Sequence, residues 1–348
     1  MTDDLALPLA ALQHERSPRP LPLFLELVRQ VTTRDPALAA EALRGLRIYQ
    51  RARREAAPRE RRVAERFRGA CLRDCGGEGS PIVLVPSLIN PPHVLDLDAE
   101  TSLADALAPE GRVLLLDWGA AADRSGLDVA GHVRALLVPL LRRLGEKPAL
   151  VGYCLGGTMA LAAAGPVPVR GVATLASPWH FSGYPSASRE ALLQLWAQAR
   201  WAAQPLGMLP IEVLQSAFWS LDPHRLVAKY ARLATLAPGC PEFDRFLSLE
   251  DWANGGEPLP LPAARELIED LFGKDRTGLG AWPGGGLPGC PLLHAVAHAD
   301  VIAPAETAAE GERIRCPSGH VGMVVGRGAR QHLHGPLRQW LARLAPQR

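Results

Sequence analysis

The stretch Leu150-Val151-Gly152-Tyr153-Cys154-Leu155-Gly156-Gly157-Thr158 limits what this chain can fold into more than any other. It reads Gly-x-Cys-x-Gly-Gly, directly after a short apolar run and directly before a run of small residues. A chain that leaves a strand, turns sharply and enters a helix while presenting one side chain at the apex needs small neighbours around that apex. Gly152 and Gly156 leave room for the turn, and Gly157 lets the helix pack close to the strand. The pattern is that of a nucleophile elbow with cysteine as the nucleophile. Cys154 then sits at a helix N-terminus, where the macrodipole favours a thiolate. A structural cysteine in a glycine-rich turn is the bland alternative, and the strand-turn-helix setting argues against it.

The 348 residues are enough for one large α/β domain and an appendage. A formal net charge of +2 does not mark a nucleic-acid binder. No apolar run reaches the length of a membrane span. Met1-Thr2-Asp3-Asp4 lacks the basic start and apolar core of a signal peptide, so a cytoplasmic location is the expectation. The six cysteines are scattered and suggest no disulfide framework. Cys71 and Cys75 have no second pair at metal-ligand spacing, so no metal site is expected.

Read in order, residues 1–20 carry Pro8, Pro18 and Pro20 and are expected to be loose. Phe24, Leu27, Val28 and Val31 recur at helical spacing, and Asp35-Pro36 caps a second helix with Leu38, Ala42, Leu46 and Tyr49 on one face. Arginine dominates from Arg44 to Arg73, offset by Glu55, Glu60 and Glu65. That run reads as a solvated face rather than as a dock for an acidic partner or a coenzyme phosphate. A glycine-rich boundary at 76–80 separates a helical N-terminal region, 1–79, from an α/β domain, 80–348. Apolar runs at 82–85, 113–117, 149–151, 172–175 and 292–296 predict strands, with a last short one at 313–315 and an amphipathic helix at 333–344. Helical patterns alternate with them, which predicts a mostly parallel, doubly wound sheet. Between about 178 and 289 the alternation stops, and the chain reads as helices and turns holding Trp196, Trp201, Trp219, Trp252 and Trp282. An insertion at that place is expected to form a lid over the strand ends, its tryptophans lining an acyl tunnel or filling the lid's own core.

Cys154, Asp300 and His320 follow one another in the chain order of α/β-hydrolases, each in a loop after a predicted strand. His320 is expected to act as base and acid, with Asp300 fixing its tautomer. His298 lies too close to Asp300 to serve, and His332 and His334 fall on the last helix. An oxyanion needs two backbone donors, for which Leu155 and Ile89 are the candidates.

These segments resemble the polyhydroxyalkanoate (PHA) synthases, polyester polymerases of the α/β-hydrolase fold. Leu88-Ile89-Asn90-Pro91-Pro92-His93-Val94-Leu95-Asp96-Leu97, Thr101-Ser102-Leu103 and Leu115-Leu116-Asp117-Trp118-Gly119 resemble that family's segments after the first core strands. Phe246-Leu247-Ser248-Leu249-Glu250-Asp251-Trp252 resembles its lid signature, and Asp300 to Pro304 and Gly319-His320-Val321-Gly322 its acid and histidine loops. The resemblance covers roughly residues 80–345; the elbow alone is shared with dienelactone hydrolases. It implies an α/β-hydrolase fold with a helical lid insertion and a helical N-terminal extension. It also implies a Cys-Asp-His acyltransferase that moves 3-hydroxyacyl groups from CoA thioester to a growing polyester. No cofactor is implied beyond acyl-CoA as substrate; a polyester granule and a partner subunit or homodimer are the implied company. Val301 stands where synthases usually have histidine, and Pro91 where class III synthases, the nearest in length, usually have arginine. Two other readings stay open: a cysteine hydrolase of esters, lactones or thioesters, and a non-catalytic granule-associated relative.

Overall fold

The apolar runs become strands, and those at the middle of the sheet are buried along their whole length, as the flanking helices of a parallel sheet require. A computed structural model describes residues 16–54 and 59–344. The expectations for residues 1–15 and for Glu55 lie outside the described residues. Among the described residues ten strands form: β1 (Val63–Phe67), β2 (Ala70–Gly76), β3 (Pro81–Val85), β4 (Arg112–Asp117), β5 (Ala149–Tyr153), β6 (Gly171–Leu175), β7 (Met208–Leu209), β8 (Leu259–Pro260), β9 (Leu292–Ala297) and β10 (Glu312–Cys316). Eight make one sheet in the order β1-β2-β4-β3-β5-β6-β9-β10, and β7 pairs with β8 as a small antiparallel ribbon. From β4 to β10 every neighbouring pair in the large sheet is parallel; β1 and β2 are antiparallel additions at one edge. β3, β5 and β6 are buried along their whole length. The chain passes from β3 to β4 on one side and returns to β5 on the other, so the loops after β3 and β5 diverge at a topological switch point.

The chain divides into two compact units, a sheet unit of residues 58–217 and 255–348 and a helical unit of residues 1–57 and 218–254. This departs from a boundary at residue 79. The hairpin β1–β2 belongs to the sheet, although charged residues interrupt its apolar alternation and hide its period. Those charges have partners: Arg73 meets Asp117 at 2.7 Å across β2 and β4, and Arg112 meets Asp74 at 2.8 Å. Arg59 and Arg61 both grip Asp96 and Asp105, at 2.5–2.9 Å. The arginine-rich run is therefore partly a set of internal ion pairs, while Arg44, Arg47, Arg51, Arg53, Arg66 and Arg68 are exposed.

In the helical unit, α1 (Leu21–Val31) and α2 (Pro36–Arg51) pack with the helices Pro223–Leu233 and Pro241–Asn254. Asp35 caps α2 by accepting the Leu38 N–H at 3.0 Å. Phe24, Tyr49, Trp219, Tyr230 and Phe243 fill the core, with the Phe24 and Tyr230 rings 4.6 Å apart. Residues 16–20, expected to be loose, are held: Pro18 is buried and the Arg19 N–H donates to Asn254 Oδ1 at 3.0 Å. The acidic pair of the segment 246–252 is structural here. Glu250 accepts the Tyr230 hydroxyl at 2.8 Å; Asp251 accepts the Tyr49 hydroxyl at 2.9 Å and two Arg54 N–H groups at 2.9 Å.

Four of the five insertion tryptophans are buried and Trp201 is 75% exposed. Trp196 and Trp282 donate their indole N–H to Glu269 and Glu266, each at 2.8 Å, which is the core-filling role. No helix among the described residues is long and apolar enough to cross a membrane.

Candidate active site

β5 ends at Tyr153, and the helix Leu155–Ala163 begins with one residue between them. Cys154 makes the turn alone, with φ 55° and ψ −132°, a conformation that non-glycine residues rarely adopt. Two bonds hold it there: the Cys154 N–H donates to Leu175 O, and the Gly157 N–H to Cys154 O, both at 2.9 Å. The glycines are required by contact. A Cβ on Gly152 would lie 2.3 Å from the Gly157 Cα, and one on Gly156 would lie 2.2 Å from Val85 O. The first contact closes the elbow upon itself, and the second presses the new helix against the end of β3.

Asp300 follows β9 and His320 follows β10, so both reach the same sheet edge as the elbow. The structure brings the three residues together. His320 Nδ1 lies 2.8 Å from Asp300 Oδ2, and its side chain is also hydrogen-bonded to that of Cys154. The other oxygen of Asp300 accepts the N–H groups of Ile302 and Ala303, each at 2.8 Å. The carboxylate is thus fixed by backbone on one side and spent on the imidazole on the other. Burial disfavours a charged His320, but negative charge on Cys154 and the hydrogen bonds that His320 makes to Asp300 and Cys154 outweigh it, and its pKa is pushed up to about 10. The arrangement favours the charged form of the imidazole. Cys154 is partly accessible, while Asp300 and His320 are buried.

The two expected oxyanion donors stand differently. The Leu155 N–H is the first of its helix and has no carbonyl within the helix to receive it. The Ile89 N–H, in the loop after β3, is directed at Ser87 Oγ at 3.3 Å, so it is free for a substrate oxygen only when that contact opens. His298 is exposed and His294 is buried in the sheet against Thr174, so neither competes for the role of base. Val301 is 52% exposed beside Asp300, and Pro91 is partly exposed in the β3 loop. Among the described residues no group of three His, Cys, Asp or Glu side chains could hold a metal.

Two tyrosines at the site were not singled out by the sequence. The Tyr153 ring lies 5.1 Å from that of His320, and the Tyr184 hydroxyl donates to Ile302 O at 2.9 Å. Tyr153 could have been found, since it is part of the elbow motif; Tyr184 lies in the insertion, where no pattern marks it.

Comparison with known proteins agrees with this architecture. A family model described as the alpha/beta hydrolase family matches residues 82–344. The poly(3-hydroxyalkanoate) polymerase subunit PhaC of Allochromatium vinosum is 28% identical over 293 residues, covering 75% of this chain and 80% of that protein. The protein of the same name from Haloferax mediterranei is 26% identical over 295 residues, covering 75% of this chain and 58% of its own length. Among solved structures, a proline iminopeptidase-related protein from Thermus thermophilus superposes with a TM-score of 0.53 at 18% identity, over 83% of this chain and 99% of that one. A hydrolase from Pseudomonas aeruginosa gives 0.52 at 17% identity, over 78% and 94%. At such identities the structural matches speak for the fold alone, while the family model covers most of the sheet unit's sequence: the chain belongs to the alpha/beta hydrolase family and is similar to PHA polymerase subunits.

Proposed function

We propose that this protein is an acyltransferase that moves 3-hydroxyacyl groups from CoA thioester to a growing polyester, with Cys154 as nucleophile, His320 as acid and base and Asp300 as the residue that orients His320. The observation that carries the reading is the hydrogen-bonded run Asp300–His320–Cys154 at a strained elbow. Similarity to PHA polymerase subunits supplies the substrate class. In the first step the Cys154 thiolate forms a bond to the thioester carbon, the bond from that carbon to the CoA sulfur breaks, and His320 gives its proton to the departing thiolate. One thioester replaces another, so the acyl group stays activated. In the second step an alcohol oxygen bonds to the carbonyl carbon, the bond to Cys154 Sγ breaks, and the alcohol's proton passes to His320. The chain needs no cofactor for this, because the acyl group arrives activated. The developing oxyanion would be met by the Leu155 N–H and, after it leaves Ser87, the Ile89 N–H. A polyester granule, and a partner subunit or a second copy of the chain, belong to the same proposal, as does a cytoplasmic setting.

Hydrolysis is the second reading, favoured by Val301, whose exposure brings solvent to the loop that holds Asp300. With water in place of the alcohol the same residues release a free acid. The test is to give the purified protein 3-hydroxybutyryl-CoA and follow free thiol and product size together. Cys154-dependent thiol release with polymer supports transfer. Thiol release with free 3-hydroxybutyrate, with or without a candidate partner subunit, assigns hydrolysis. No release from wild type, or equal release from Cys154→Ala, refutes both.

A further inference from the structure

The chain has four tyrosines, and three of them spend their hydroxyls on acceptors: Tyr49 on Asp251, Tyr230 on Glu250 and Tyr184 on Ile302 O. The fourth, Tyr153, is 3% exposed, and its hydroxyl is sealed from solvent with no hydrogen-bond partner among the described residues. A buried hydroxyl without a partner is disfavoured over the phenyl ring of the same shape, so a tyrosine at this position calls for a reason. Its place supplies one. Tyr153 immediately precedes the nucleophile, its ring lies 5.1 Å from His320 at a tilt of 39°, and its hydroxyl feels the charges of both Cys154 and Asp300.

We propose that the Tyr153 hydroxyl is a specificity determinant, donating its hydrogen bond to an oxygen carried on the acyl chain once that chain is attached to the neighbouring Cys154. This rests on the acyl-transfer reading of Cys154. On that reading the acyl carbonyl oxygen would turn toward the N-terminus of the helix Leu155–Ala163, so a donor beside His320 would address an oxygen further along the chain. The 3-hydroxyl of a 3-hydroxyacyl group is such an oxygen. Because the hydroxyl is sealed in the unliganded protein, the acyl chain must displace a neighbouring side chain to reach it. A site built to bond a substrate oxygen discriminates strongly against the analogue that lacks it, since the analogue leaves the protein's own polar group unpaired.

Tyr153→Phe tests this without changing shape. Four donors are compared: 3-hydroxybutyryl and butyryl groups, each as the CoA thioester and as the p-nitrophenyl ester. Wild type should prefer the hydroxylated acyl group. Tyr153→Phe should lower kcat/KM for the hydroxylated donors by about 10-fold or more and leave the butyryl donors within about 2-fold, as expected when one hydrogen bond to a substrate hydroxyl is lost. Its melting temperature should be unchanged or raised, because an unpaired hydroxyl has been removed. Equal loss on all donors, no loss on any, or a wild type without preference overturns the proposal. Equal loss with a lowered melting temperature would instead assign the hydroxyl to a buried structural water. The leaving group reports separately on the acyl-CoA reading. Turnover of esters only, with the hydroxyl preference lost in the variant, refutes that reading and keeps the role of Tyr153. A wild type inert on all four donors overturns both.

Discussion

Asp300→Asn separates the role of the acid from its contribution to folding. Asp300 Oδ1 receives two backbone N–H groups at 2.8 Å, from Ile302 and Ala303. An asparagine must place its carbonyl oxygen there, since its amide nitrogen would meet two donors. The amide then faces His320 Nδ1, which lies 2.8 Å from Oδ2 in the wild type, and donates to it. Nδ1 becomes an acceptor, the ring proton moves to Nε2, and the imidazole can no longer take a proton from Cys154 or from the incoming alcohol. The same tautomer error in a serine protease lowers kcat about 10⁴-fold, which corresponds to about 5.5 kcal/mol of barrier. The fold should survive, because every hydrogen bond at the position keeps a partner and a neutral group replaces a side chain that is 0% exposed. Thiol release from 3-hydroxybutyryl-CoA measures the rate, and thermal unfolding measures stability. A variant that unfolds at the wild-type temperature yet keeps a rate within a few-fold of wild type would refute the assignment of Asp300.

Three further outcomes follow from the geometry. Gly156→Ala forces a methyl to 2.2 Å from Val85 O, a clash with backbone that cannot turn away, and should cost about 2 kcal/mol or more in urea unfolding; a neutral result would mean the elbow helix can shift. Gly45→Ala places its methyl 1.9 Å from Tyr230 O within the helical unit and should destabilise it by a similar ~1–3 kcal/mol, seen as loss of native tyrosine fluorescence at lower denaturant. His320 titrates at about 10 in the folded protein but near ~6.5 when unfolded, so its stabilisation is complete below the lower value and is lost as pH rises through the upper one. Cys154→Ala removes a main cause of the upward shift, so the stability difference between wild type and this variant should narrow as pH rises toward 10; a difference constant with pH would refute the charge pairing.

Most of the sheet was legible because parallel strands buried on both faces leave uninterrupted apolar runs, and 82–85 and 172–175 each fall within one residue of an observed strand. Asp35 was legible for a similar local reason, since its capping bond needs only the three residues after it. β1 and β2 were not, because charged residues interrupt their apolar alternation, and the pairing of β2 with β4 is a long-range fact that no local window contains. The joining of residues 218–254 with α1 and α2 was hidden for the same reason: Phe24 and Tyr230 meet across some two hundred residues of sequence. At the site, Cys154, Asp300 and His320 could be named from the order and type of residue alone. The state of the Ile89 N–H could not, because it depends on a hydroxyl two residues away whose rotamer the sequence does not set.

The root of the insertion is part of the site rather than a flap over it. The chain leaves β6 through Ala176, at φ 47°, and Thr158 of the elbow helix at once bonds Pro178 O at 2.5 Å. The Trp179 and His180 N–H groups then donate to Thr307 O at 2.7 and 2.9 Å, and Tyr184 ties itself to Ile302 O. Ile302 is also one of the two residues whose N–H holds Asp300. Any motion that lifted residues 176–184 would therefore pull on the elbow helix and on the acid loop together, and would cost the geometry that positions His320. Beyond Tyr184 the insertion is less tied: the helix Ser186–Leu206 has only Trp196 and Ala203 buried along its length. A helix with so few buried residues lies at the low end of local stability, so on the acyl-transfer reading proposed above a lid would open there rather than at residues 176–184.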